Sequence, residues 1–466
     1  MTMKNMTIDT IIKVTGGTYY GSEEKRSHTI TSVVTDSRKA VCGCLFIPLK
    51  GERSDGHDYI PAVIAEGALC VLSEHLLQDD TTYIQVASCA QALKDLAKFY
   101  REQLNCTIIG ITGSVGKTST KEMIASVLSE KYTVQKTAGN FNNEIGLPLT
   151  IFSIGEEHEI AVVEMGISDF GEMSRLAAIA QPDICVITNI GYCHLEFLKT
   201  RDGILKAKTE CLEYIREGGS LILNGDDDKL VTITEFRGKQ PCFYGIKETK
   251  GRMAVGHSVE NLGLKGMKAV IDLGGESLDV RISIPGEHNV YNALAAACVG
   301  KLLNLSKEEI TAGIHHATTM EGRNHHLEVG GVEIIDDCYN ANPVSMKGAI
   351  DILGSCKGRT IAVLGDMGEL GEDQEQLHYD VGVYLAKKEI HTLFCTGERS
   401  RQLAKGAIDK GTNTQVLFYN TKEDMTSDLC SFIKKGDTIL VKASHFMKFE
   451  TVITSLKETA VSWNQA

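Results

Sequence analysis

At 466 residues the chain is long enough for about three domains, each able to bury its own core. With 42% hydrophobic and 23% charged residues, 45 glycines and 7 prolines, its composition is globular and excludes low-complexity, collagen-like and disordered architectures. A formal net charge of −13 with no basic stripe argues against nucleic-acid and membrane-surface binding, although backbone N–H groups and a few lysines can still hold anions.

The opening residues Met1-Thr-Met-Lys-Asn-Met-Thr-Ile-Asp-Thr10 lack the apolar core of a signal peptide, and no run has the length of a membrane span. Fourteen cysteines are scattered singly apart from Cys42-Gly-Cys44, so a reducing, cytoplasmic location is expected, with the thiols acting as small hydrophobes. Residues 1–104 alternate short apolar runs with turns (Ser32-Val-Val, Cys44-Leu-Phe-Ile, Leu69-Cys-Val-Leu) and end in a predicted helix over 89–103. From 105 to 318 strands alternate with helices in a βαβ rhythm that predicts a mostly parallel sheet, with strands at 106–111, 160–164, 184–188 and 220–224 and an alanine-rich helix over 289–303. The polar stretch Thr318-Thr-Met-Glu-Gly-Arg-Asn324 reads as a hinge. Strands at 332–336, 360–364, 392–395 and 438–442 then build a smaller third domain over 319–466. The expected fold class is α/β in three domains: a central P-loop parallel sheet flanked by an N-terminal α/β domain and a C-terminal Rossmann-like one.

The most informative segment is Gly110-Ile-Thr-Gly-Ser-Val-Gly-Lys-Thr-Ser-Thr120, between a strand and a helix over 119–132. Small residues let backbone N–H groups close on phosphates at the positive end of a helix. Gly113, Ser114, Gly116 and Ser119 would form that cradle, Lys117 would reach the terminal phosphates, and the Thr118 hydroxyl would ligate Mg²⁺. The common pattern wants glycine six residues before the lysine, where this chain has Ile111, so the loop is a variant. Glu164 ends a strand facing the same crevice, the natural place for a Mg²⁺ carboxylate or, alternatively, a turn cap. His194 follows the next strand and is open between a structural and a functional role. Lys208 reads by its spacing as a solvated charge. Asp226-Asp-Asp228 reads as turn and helix-start chemistry before metal binding. The pairs His315-His316 and His325-His326 follow no familiar ligand spacing. Gly365-Asp-Met-Gly-Glu-Leu-Gly371 does not meet the dinucleotide pattern.

Taken in order, these pieces resemble the Mur ligase family over essentially the whole chain. Thr35-Asp-Ser-Arg38, Gly43, Phe46 and Gly51 with Asp55-Gly-His57 resemble the family's uridine-nucleotide module, implying substrate contacts at Ser37, Arg38, Asp55 and His57. The phosphate loop, Gly139-Asn-Phe-Asn-Asn-Glu-Ile-Gly-Leu-Pro148, Val163-Glu-Met-Gly166, His194-Leu-Glu196 and Gly286-Glu-His-Asn-Val-Tyr-Asn-Ala-Leu-Ala295 follow in the family's order. Ile335-Asp-Asp-Cys-Tyr-Asn-Ala-Asn-Pro343 and Val363-Leu-Gly-Asp-Met-Gly-Glu-Leu-Gly371 are particular to the member that adds D-alanyl-D-alanine.

The resemblance implies an ATP-dependent amide ligase. It would add D-Ala-D-Ala to UDP-N-acetylmuramoyl-tripeptide through an acyl phosphate, acting as a monomer. It implies catalytic roles for Lys117, Lys208 and His194. Thr118, Glu164, His194 and Lys208 would form the shell of two Mg²⁺ ions, Lys208 as a carbamate formed with CO₂. Asn289, Asn292, Arg323 and Asp337 would grip ATP; Asn142, Asn143, Asn340 and Asn342 would face substrate. The chain departs from the family at Tyr192-Cys-His194, at Lys208-Thr-Glu210 and at Val441-Lys-Ala-Ser-His445, where His445 replaces a usual arginine. Rival readings are a diaminopimelate-adding or folylpolyglutamate-type ligase, or a P-loop protein that ligates nothing. The Asp-Asn-Pro-Arg motif of the diaminopimelate-adding enzymes is absent.

Overall fold

The computed structural model describes residues 3–463 except 53, 78–80, 248–250 and 412, so the outermost ends of the expected first and third domains lie outside the described residues. Three sheets follow one another along the chain. The first orders five short strands as Thr18–Tyr20, Tyr83–Gln85, Cys70–Ser73, Leu45–Phe46, Val33–Val34, antiparallel only at the first pair. The helix Cys89–Glu102 begins where the Ser88 side chain accepts from the Gln91 N–H. Its apolar residues recur at three- and four-residue spacing, and Leu93, Leu96, Ala97 and Tyr100 are buried.

That helix joins the first sheet to the second. Its residues share one hydrophobic cluster with Ile151, Met173 and Ala177, which belong to helices flanking the second sheet. Arg101 is fully buried there, its Nε donating to the Ala180 carbonyl at 2.8 Å and its Nη2 lying 3.2 Å from Asp183 Oδ2. Its Nη1 has no hydrogen-bond partner among the described residues, but the bonds from Nε and Nη2 run between the two units and fix them against each other.

The second sheet has nine strands, with Ile184–Ile187, Thr107–Thr112 and Ile160–Glu164 adjacent and parallel near one end. Every residue of Ile160–Glu164 is buried, as a parallel strand covered on both faces requires. Toward the other end the βαβ expectation gives way. Ala254–Asn261, Met267–Leu273 and Glu276–Ile282 form an antiparallel meander whose middle strand alternates buried and exposed residues. The alanine-rich helix spans His288–Leu302 and packs against the helix that follows the phosphate loop, Lys117–Ser129.

The third sheet orders His325–Val329, Val332–Asp336, Thr438–Lys442, Thr360–Leu364, Thr392–Thr396 and Gln415–Tyr419, all parallel except the first. Two separate cores cover its faces. In the linker Gly322 holds φ +74° and donates to Asp336 Oδ2 at 3.1 Å, while its carbonyl accepts from Tyr339, so this glycine belongs with the third unit. The third unit meets the second where Asn324 Nδ2 donates to His288 Nε2 at 3.0 Å and where Leu264 packs on the third unit's core. All fourteen cysteines are free thiols. Among the described residues no helix is long and apolar enough to cross a membrane.

Candidate active site

Three adjacent parallel strands deliver their C-terminal ends to one crevice, the position where open α/β sheets bind ligands. From the strand Thr107–Thr112 the chain enters the glycine loop. Gly113 holds φ +147°, and a Cβ there would lie 1.9 Å from Thr188 Oγ1, so no side chain fits. Gly116 holds φ +83° at the start of the helix Lys117–Ser129. The loop is pinned by the segment after the strand Ile184–Ile187. Ser114 N–H donates to the Asn189 carbonyl at 2.9 Å, Val115 N–H to Asn189 Oδ1 at 3.0 Å, and Thr188 Oγ1 to the Val115 carbonyl at 2.7 Å. Gly191 N–H donates to Ser114 Oγ at 2.8 Å. Thr188 and Asn189 therefore shape the phosphate loop, a role the sequence reading missed; a Thr-Asn pair directly after a strand was the available signal. Lys117 Nζ donates to the Gly113 carbonyl at 3.0 Å, folded along the loop it would serve. Thr118 is buried at the first turn, and Ser119 is half-buried beside it.

Glu164 is buried at the end of its strand. Its N–H donates to Thr137 Oγ1, and its Oε1 accepts from Asn142 Nδ2 at 2.8 Å. Its Oε2 has no hydrogen-bond partner among the described residues. Asn143 does something different from Asn142: its Oδ1 accepts from Ile145 and Gly146 N–H, holding the turn that leads into the helix Gly146–Phe152.

Lys208 overturns the reading its spacing gave. It lies on the helix Arg201–Thr209 at 0% exposure, and its Nζ likewise has no hydrogen-bond partner. Burial pulls its ammonium down to about 8, with the Lys117 cation nearby acting in the same direction. A partnerless carboxylate oxygen and a partnerless amine, both buried, are costly unless something else satisfies them. Glu164 Oε2, the Thr118 hydroxyl and His194 are a donor set that fits a hard divalent cation. Among the described residues no three His, Cys, Asp or Glu side chains gather into a ready-made metal cage. A cation here would need oxygens from a phosphate or from a modified lysine, as Mg²⁺ sites on nucleotides commonly do.

His194 precedes the helix Leu195–Leu198 in a left-handed conformation, φ +57°. Its Nδ1 lies 2.5 Å from Oε2 of Glu369 in the third unit, and the imidazole holds the Glu369 carboxyl below its usual range. Behind the phosphate loop, Thr120 Oγ1 donates to Asn292 Oδ1 at 2.8 Å, and Asn292 Nδ2 to Asn289 Oδ1 at 2.8 Å. Both asparagines are buried, and Asn289 Nδ2 also donates to the Pro285 carbonyl. They tie the helix His288–Leu302 to the phosphate-loop helix.

In the third unit Asp337 Oδ2 lies 2.5 Å from the buried Lys442 Nζ, which also donates to the Asn340 carbonyl at 2.8 Å. Arg323 stacks on the Tyr339 ring, 4.1 Å from its centroid, with His445 on the same ring at 5.3 Å. Asn342 caps the helix Pro343–Gly354 in a reciprocal pair with Ser345. In the first unit Asp36 chelates Arg38 and Asp55 holds His57 Nδ1 at 2.6 Å, while Ser37 opens a short 3₁₀ turn. Asp226 to Asp228 serve turns and ion pairs, Asp226 with the buried Arg252 and Asp228 with Arg201. His316 pairs with Glu130, and His326 with Glu333.

Three family models match along the chain: the Mur ligase family catalytic domain at residues 29–101, the Mur ligase middle domain at 111–300, and the Mur ligase glutamate ligase domain at 322–445. The UDP-N-acetylmuramoyl-tripeptide–D-alanyl-D-alanine ligase of Bacillus subtilis is 36% identical over 99% of this chain and 100% of its own. A crystal structure of MurF from Acinetobacter baumannii superposes with a TM-score of 0.88 at 32% identity, covering 98% of this chain and 100% of that one. MurF from Thermotoga maritima, solved in complex with ADP, gives a TM-score of 0.80 at 29% identity over 92% of this chain and 98% of that one.

Proposed function

This chain belongs to the Mur ligase family, and from that premise we propose that it joins D-alanyl-D-alanine to UDP-N-acetylmuramoyl-tripeptide with hydrolysis of ATP to ADP and phosphate. The reaction completes the peptide of the cell-wall precursor and belongs in the cytoplasm. Residues 1–104 take the uridine nucleotide, 105–318 take ATP, and 319–466 take the incoming dipeptide.

The observation that carries this reading is the pair of buried, partnerless groups, Glu164 Oε2 and Lys208 Nζ, behind a phosphate loop. In the reaction an oxygen of the tripeptide's terminal carboxylate attacks the γ-phosphorus and ADP leaves. The dipeptide amine then attacks the acyl carbon, loses a proton, and phosphate departs with one former carboxylate oxygen. Two anions must meet in the first step, which bare Coulomb repulsion opposes. Lys117 and the N–H groups of Gly116 to Ser119, which are not given to Asn189 as those of Ser114 and Val115 are, would place positive charge where phosphoryl charge spreads. Mg²⁺ held by Thr118, Glu164, His194 and Lys208 would supply further charge neutralisation.

Lys208 suits that shell only as an anion. With burial pulling its amine from the usual lysine range down to about 8, a far larger share of molecules carries it neutral near neutral pH than an ordinary lysine would. The neutral amine adds to CO₂ and releases a proton, giving a carbamate. Asn142 orients Glu164, and Asn289 and Asn292 brace the loop from behind. Arg323 and Asp337, beside the linker, would reach ATP as the third unit closes and excludes water from the acyl phosphate. Phosphate release measured with ATP and UDP-N-acetylmuramoyl-tripeptide, with and without D-Ala-D-Ala, tests the reading. Turnover that requires both substrates is expected; phosphate release indifferent to the dipeptide would leave only an ATPase.

A further inference from the structure

Arg323 is half-buried in the linker between the second and third units, yet its guanidinium makes no hydrogen bond and no ion pair among the described residues. What it meets is an aromatic face: its Cζ lies over the Tyr339 ring, 4.1 Å from the centroid. The backbone on both sides of Arg323 is fixed to the segment that carries this ring. Gly322 N–H donates to Asp336 Oδ2 at 3.1 Å, Tyr339 N–H donates to the Gly322 carbonyl at 3.0 Å, and Asn324 N–H donates to Asp337 Oδ1 at 3.1 Å. Gly322 holds φ +74°, and a Cβ there would come within 3.2 Å of Tyr339 Cβ, so the linker lies directly on this residue. The ring's segment is anchored in turn by the buried Lys442, which donates to Asp337 Oδ2 and to the Asn340 carbonyl on either side of Tyr339. His445 packs on the same ring, with 5.3 Å between centroids. A rigid frame therefore surrounds a cation whose N–H donors are all unspent.

We infer that Tyr339 is a positioning residue for nucleotide binding: its ring holds the Arg323 guanidinium by the face and leaves the N–H edge free for phosphate oxygens. A guanidinium is planar, stacks on aromatic rings through its face and grips phosphate through the fork along its edge, so the two uses do not compete. An arginine free in solvent loses much rotamer freedom when a ligand orders it. Here the stack orders it beforehand, which is worth about 3- to 10-fold in affinity for one long side chain. Tyr339 thus acts on the nucleotide through Arg323. The inference rests on the reading of Arg323 as a contact to ATP.

The test is Mg²⁺–ADP binding to the full-length protein by isothermal titration calorimetry. It compares wild type with Tyr339→Phe, Tyr339→Leu, Tyr339→Ala, Arg323→Ala and the Arg323→Ala/Tyr339→Ala double variant, with folding checked by circular dichroism. Tyr339→Phe keeps the ring and should bind within about twofold of wild type. Tyr339→Ala is expected to weaken ADP about 3- to 10-fold, and Arg323→Ala to weaken it more. Tyr339→Leu keeps apolar bulk without the ring, so it should lose as much as the alanine variant and carries the test if that variant folds poorly. In the Arg323→Ala background, Tyr339→Ala should change nothing further. Unchanged affinity in Tyr339→Ala and Tyr339→Leu, beside weakened binding in Arg323→Ala, would overturn the positioning role and leave the Arg323 reading standing. A loss in Tyr339→Phe equal to that in Tyr339→Ala would overturn it too, pointing to the hydroxyl. So would an undiminished further loss in the double variant, which would mean that the ring acts without Arg323. Unchanged affinity in Arg323→Ala would remove the reading of Arg323 as a nucleotide contact.

Discussion

Replacing Lys208 by Met is expected to make the protein more stable and, at the same time, inactive. The side chain is fully buried and its amine has no hydrogen-bond partner, so the folded state is penalised whenever the amine carries a proton. Burial brings it from 10.5 to about 8, and at about 1.4 kcal/mol for each unit the handicap is about 3 kcal/mol. The sign follows from proton binding. The unfolded chain holds this proton more tightly, so the handicap is whole below pH 8, shrinks as pH rises, and is gone above about 10.5. Methionine fills similar volume without charge. In urea unfolding followed by circular dichroism, in CO₂-free buffer lacking divalent cations, Lys208→Met should exceed wild type by about 3 kcal/mol at pH 7 and by almost nothing near pH 10.5. Bicarbonate with Mg²⁺ should then raise wild type toward the variant and leave the variant unmoved. A Lys208→Met protein no more stable than wild type at pH 7 would refute the desolvated-amine argument.

Other expectations follow from the same geometry. Lys117→Ala should fold normally, its one hydrogen bond among the described residues being to the adjacent loop, yet lose kcat on the order of 100- to 1,000-fold in coupled ADP release. Gly113→Ala should raise the KM for ATP and lower the thermal midpoint, because its Cβ would collide with Thr188 Oγ1 at 1.9 Å and displace the segment that pins the loop. Asp226→Ala strands the buried Arg252 and should cost about 3–5 kcal/mol in urea unfolding at neutral pH. Although burial opposes it, Arg252 and two backbone N–H groups hold the Asp226 carboxyl below its usual range. The wild-type advantage should therefore shrink as pH falls through the carboxylate range.

The parts of this structure that were legible in the sequence are those governed by local pattern. The strand Ile160–Glu164 shows the apolar run a doubly covered parallel strand needs, and the positive φ angles of the loop fall on its own glycines, although Thr188 and Asn189 pin it from outside. Asn143 and Asn342 are the opposite case: resemblance points both at substrate, while Asn342 caps the helix that follows it and Asn143 Oδ1 holds the turn leading into another. An asparagine before a helix is a sequence-readable cap, and that local chemistry competes with any ligand role. The antiparallel meander from Ala254 to Ile282 shows alternation that the surrounding βαβ rhythm obscured. Lys208 and Glu369 could not be found locally. The burial of one and the partner of the other are set by strands and domains far away in sequence, and only the assembled fold brings them to the crevice.

The most direct test of the central claim is an isotope experiment. UDP-N-acetylmuramoyl-tripeptide labelled with ¹⁸O in its terminal carboxylate is turned over with ATP and D-Ala-D-Ala, and the released phosphate is examined by mass spectrometry. An acyl-phosphate ligase transfers one labelled oxygen to each phosphate formed. Unlabelled phosphate, with ATP consumed by water instead, would contradict the account.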